Sequence, residues 1–63
     1  MYVYGTRLRP PGPGCIPVRG LKDMDFTEFT VNGRHYWGTA SYDRELMEAE
    51  LEHYDMDKIK EEN

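Results

Sequence analysis

The sequence predicts an α+β fold: a small three-stranded, mostly antiparallel sheet, built from an N-terminal strand and an Asn-Gly hairpin, with one C-terminal helix packed on it and a long Pro/Gly loop. Three observations predict it. Residues 1–8 alternate β-forming side chains, Asn32-Gly33 separates two β-rich runs, and apolar residues recur at helical spacing after residue 43. The chain has 63 residues, room for one domain (1–63), and a domain of this length buries only about 60% of the surface its unfolded chain exposes.

In the first run Tyr2, Tyr4, Thr6 and Leu8 share one face and Val3, Gly5 and Arg7 the other, the period of a strand. Residues 9–20 then form a loop, because Pro10, Pro11 and Pro13, with Gly12 and Gly14 between them, oppose both helix and ladder. Ile16, Val18 and Leu21 are expected to pin that loop to the core. Residues 25–31 and 34–40 are the hairpin strands, since Asn-Gly supplies the two positive φ values of a type I′ turn. The register sets Val31 opposite Arg34, Phe29 opposite Tyr36 and Thr27 opposite Gly38, with Phe29 and Tyr36 on the core face. Gly38 marks a bulge or a close backbone approach.

From residue 43 or 44 to about 59 the pattern is helical. Met47, Leu51 and Tyr54 stand four and three apart, widened by Leu46 and Ala49, with Ser41 or Asp43 as N-cap and Lys58 and Lys60 near the end. Residues 60–63 are expected to fray.

Several functions are set aside by composition and spacing. Aromatic residues at 13% beside charged residues at 32% favour a folded chain over a disordered one. The single Cys15 permits no intrachain disulfide and no Cys-based zinc site; it reads as an inert thiol in a reducing compartment. No apolar run approaches the roughly 20 residues that span a bilayer, and residues 1–5 lack the basic and apolar regions of a signal peptide; the expected location is cytoplasmic. His35 and His53 lack the spacing of a metal pair, and Pro13 interrupts the Gly12 and Gly14 pair and removes the backbone N–H a phosphate would need. Glu48 and Glu52 have no apolar pocket to raise a carboxyl pKa for acid catalysis. The expectation is a non-enzymatic protein with no cofactor and no metal.

Charge is strongly segregated. Nine of the twelve acids lie from Asp43 to Glu62; residues 1–42 carry five Lys or Arg against three acids, and residues 43–63 three against nine, so +2 and −6 make up the net −4. An acidic helix bearing Glu45, Glu48, Glu52 and Asp55 is therefore the candidate surface for a basic protein partner, although a plainly solvated face has the same appearance. The alternative is a small nucleic-acid-binding domain using Arg7, Arg9, Arg34 and Trp37 with the sheet aromatics. A sequence pI near 5.0 and the acidic helix oppose it, because both repel phosphate. An open sheet edge leaves a route to a homodimer.

The order of Tyr2-Val3-Tyr4-Gly5, Arg7 and Arg9-Pro10, then Gly14-Cys15, Pro17 and Gly20-Leu21, then Tyr36-Trp37, Tyr42-Asp43-Arg44-Glu45-Leu46 and Tyr54-Asp55-Met56-Asp57 resembles a family of very short, uncharacterised proteins of bacterial phages and other mobile elements. The motifs bring no activity of their own. Where that pattern has a Ser or Thr helix cap just after Glu45-Leu46, this chain has Met47. An origin in mobile elements implies a protein that binds host machinery, including inhibitors of nucleic-acid-guided defence.

Overall fold

A computed structural model of the chain describes residues 1–62. The described elements are β1 (Tyr2–Thr6), β2 (Leu21–Asp25), β3 (Phe29–Val31), β4 (Arg34–Tyr36), β5 (Thr39–Tyr42), α1 (Glu48–Tyr54) and β6 (Met56–Glu61). The fold is α+β, as the sequence predicts, but the strands form two sheets. One is four-stranded and antiparallel in the order β2-β5-β1-β6; the other is the β3-β4 hairpin alone.

β1 lies inside the larger sheet because its alternation satisfies two apolar layers. On one face Tyr4, Ala40, Tyr42 and Met56 meet Ile16 and Leu46, with Leu51 and Tyr54 packed alongside. The Tyr4 ring stands edge-on to Tyr42, with centroids 5.8 Å apart, and its hydroxyl accepts the Leu46 amide at 2.8 Å. The Tyr42 hydroxyl donates to the Pro17 carbonyl at 2.7 Å, which holds the 9–20 loop down. Burial pushes that phenol up to about 12. On the other face the hairpin lies across Gly5, where a Cβ would stand 2.7 Å from the Tyr36 ring and 3.1 Å from Ile59. Tyr36 is buried and stacks on Phe29, so that side of the hairpin is its core face, as expected.

The hairpin keeps the expected register, Phe29 opposite Tyr36 and Val31 opposite Arg34, with Asn32 and Gly33 at φ 52° and 79°. Its strands are shorter than predicted, and the Thr27–Gly38 pairing does not form. The Asp25 carboxylate takes the Thr27 amide at 2.8 Å, turning the chain out of β2. Past Tyr36 the Trp37 amide donates to the Thr6 carbonyl and the Thr6 amide to the Gly38 carbonyl, so the backbone crosses to the larger sheet and continues as β5. Gly38 is the expected close approach: a Cβ there would overlap the Asp25 carbonyl and lie 2.8 Å from Pro11.

Three further expectations are corrected. β2 has no counterpart among the expected elements, because Lys22, Asp23 and Asp25 mask the strand and have low β-propensity. In the 9–20 loop Ile16 is buried, but Val18 is 71% exposed and pins nothing. The predicted 43–59 helix is only the seven residues of α1. It ends at Asp55, which adopts φ 56° and donates its amide to the Leu51 carbonyl, a left-handed cap that Asp tolerates better than most residues. Beyond it Met56, Asp57, Lys58 and Ile59 run as strand, with Met56 1% exposed in the main core. Residues 60 and 61 pair with β1 and so are held rather than frayed; residue 63 lies outside the described residues. No helix among the described residues is long and apolar enough to cross a membrane.

Candidate partner-binding surface

Met47 occupies the N-cap of α1 with extended φ and ψ, at the place where the resembled pattern carries Ser or Thr. Its thioether offers no oxygen to the first-turn amides, and the reciprocal half of a capping box acts instead: the Glu50 carboxylate accepts the Met47 amide at 2.9 Å. The same carboxylate receives both terminal nitrogens of Arg44 at 2.9 and 2.8 Å, while Arg44 Nε donates to the Arg19 carbonyl. The Arg44 guanidinium, and then the Met47 amide, hold the Glu50 carboxyl down at about 2.

This depression has a defined pH signature. A carboxyl whose folded pKa lies below its ordinary 4.5 contributes stability that is fully present above the ordinary value and is lost as pH falls towards the folded one. Unfolding free energy measured by urea titration is therefore expected to decline between about pH 4.5 and 2, and Glu50→Gln is expected to flatten that decline. An unchanged slope in the variant would show that Glu50 is not held this way.

The four acids expected to form one surface are separated by their partners. Glu45 lies before α1 and accepts the Lys58 ammonium at 2.9 Å. Asp55 lies at the cap, within 4.0 Å of Arg7 and 3.7 Å of Arg9. Glu48 and Glu52 are exposed on α1 one turn apart, and neither has an ion-pair partner among the described residues. The expected acidic rod is thus a two-turn face with two free carboxylates, because β6 takes over the residues that would have extended it.

The alternative set is also occupied. Arg7 approaches Asp57 at 3.6 Å as well as Asp55, and Arg34 donates to Asp57 at 2.8 Å. Trp37 is half-buried at the β4–β5 crossing, edge-on to His35. Asp57 is the residue that sequence reasoning missed. It accepts Arg34 and the Tyr36 hydroxyl, both at 2.8 Å, tying the hairpin to β6; partial burial works against its ionisation, but these two bonds and the nearby Arg7 keep its carboxyl below the ordinary range. No local signal marked it: Met56 and Ile59 stand three apart, a helical spacing, with Asp57 and Lys58 both polar between them.

Of the eight Lys and Arg residues, only Arg19 lacks an ion pair among the described residues, whereas Asp23, Asp25, Glu48 and Glu52 have no cationic partner and Glu28 meets only His35. The fold and its charges define a small α+β protein in which all Lys and Arg residues but Arg19 are ion-paired and most of the unpaired charge is acidic. The chain belongs to the family described as "Defence against restriction A C-terminal", whose family model matches residues 1–61. That description agrees with the mobile-element resemblance. No curated protein and no solved structure is a match for the chain.

Proposed function

We propose that this protein is a non-enzymatic, cytoplasmic binding module that meets a protein of the host restriction or defence machinery through its acidic surface. The family description supports the setting. The observation that carries the mode of action is the charge pairing: with all but one of the cations engaged inside the fold, the groups left for a partner include the carboxylates of Glu48 and Glu52. Exposed carboxylates steer association with a basic surface and impose a salt dependence on it. The nucleic-acid alternative loses support for the same reason, because Arg7, Arg9 and Arg34 would have to leave Asp55 and Asp57 to reach phosphate.

The test is inhibition of a purified restriction enzyme by the intact protein, compared with Glu48→Lys/Glu52→Lys. Protection of substrate DNA that weakens in the variant and at high salt is the expected outcome. Equal protection by both proteins removes α1 from the contact, and salt-sensitive binding to the DNA itself would replace the reading with the nucleic-acid one.

A further inference from the structure

The four-stranded sheet ends on one side at β2, which among the described residues pairs with β5 and with no other strand. The two faces of this edge differ in chemistry. Leu21 and Met24 lie opposite Tyr42 and Ala40 and join the apolar core face, half-buried. Asp23 and Asp25 lie opposite Ser41 and Thr39 and point to the other face, exposed. A shallow cleft runs along the edge, lined by Leu21, Lys22, Asp23, Met24 and Phe26. Phe26, one of its lining residues, is 61% exposed. Successive side chains of an added strand would fall alternately over these two faces.

The geometry points to β2 as a docking edge for an extended segment of a partner protein that alternates basic and apolar residues, its cations over Asp23 and Asp25 and its apolar side chains over Leu21, Met24 and Phe26. Charge complementarity selects this occupant. Asp23 has no ion pair, and Asp25 is engaged only with the Thr27 amide, so both carboxylates remain for an incoming cation; opposite charges across a strand pair stabilise it and like charges destabilise it. A second copy of the chain would place a strand with the same aspartates along the edge. The opposite edge, β6, is less available because Asp57, Lys58 and Lys60 are committed to Arg34, Glu45 and Glu62. Backbone pairing would supply affinity and the alternating faces specificity. This inference rests on the reading of a protein-binding module but not on α1.

The experiment is amide NMR of the isotope-labelled full chain, titrated with a short peptide of alternating Arg and Val. Shifts confined to residues 21–26, lost with Asp23→Lys/Asp25→Lys and lost when the peptide's alternate amides are N-methylated, are expected. Three outcomes would overturn it: no shifts, shifts confined to α1, or binding that survives N-methylation and so needs no strand. Shifts at α1 alone would leave the proposed function standing while removing the edge. Concentration-dependent shifts at residues 21–26 without peptide would assign the edge to self-association instead.

Discussion

Gly38→Ala is expected to destabilise the protein by about 3 kcal/mol or more, at the upper end of overpacking penalties, and to leave a large unfolded population without denaturant. Gly38 has no side chain because the space is already filled. An added Cβ would overlap the Asp25 carbonyl of β2 and press on Pro11 at 2.8 Å, and neither backbone nor proline ring can swing aside as a long side chain can. The site also lies beside the β1–β5 pairing, since the Gly38 carbonyl accepts the Thr6 amide. Displacing it would loosen the edge strand, the loop and the crossing between sheets together. Gly12→Ala is the control: no atom lies within 4 Å of its Cβ position, and its stability in urea should match that of the parent. Similar values for Gly38→Ala and the parent would show that β2 and the loop do not approach so closely.

Tyr4→Ala should cost about 3 to 5 kcal/mol, the range for deleting a buried aromatic ring. The ring is fully buried and packs edge-on against Tyr42. A domain of this length has roughly 3 to 9 kcal/mol of total stability, so the variant is expected to be largely unfolded by circular dichroism. Tyr4→Phe separates the two contributions. It keeps the ring but strands the Leu46 amide, whose partner is the Tyr4 hydroxyl, and should cost about 1 to 3 kcal/mol. If the phenylalanine variant were as stable as the parent, another acceptor would have to reach Leu46, and the hydroxyl would not be what anchors the approach to α1.

These two residues also show where the sequence was legible. Tyr4 lies in a run whose alternation alone identified a strand and its faces, and Asn32-Gly33 fixed a turn and register because only a narrow choice of residues accepts two positive φ values. Gly38 was readable as a close approach, but not what approached it, because β2 has too many charges to look like a strand. The helix was misjudged for a related reason. Met47, Leu51 and Tyr54 step by four and three, and Met56 and Ile59 again stand three apart, yet Asp55 breaks the helix without glycine or proline, its carboxylate held near Arg7 and Arg9 at the far end of β1. Such a contact spans almost the whole chain and leaves no local mark. The candidate surface suffered most. Glu45 and Asp55 looked free in sequence and are engaged in space, whereas Asp23 lay in a segment with no apparent role and Asp25 at the start of an expected hairpin strand.

The pairing of β1 with β6 has a consequence for the order of events during synthesis. Of the described strands β1 is made first, yet one of its two neighbours, residues 56–61, is made after all the others. Non-local pairings must close a long loop before any contact offsets the lost entropy, which slows folding and leaves unpaired edges exposed meanwhile. Until β5 is made Tyr2 and Tyr4 have no strand beside them, and even after β5 has emerged one side of β1 is still open. The sheet can be completed only once β6 has left the ribosome. Stopping the chain before Met56 would therefore leave β1 as an exposed edge, and Met56 itself, 1% exposed in the folded protein, missing from the core.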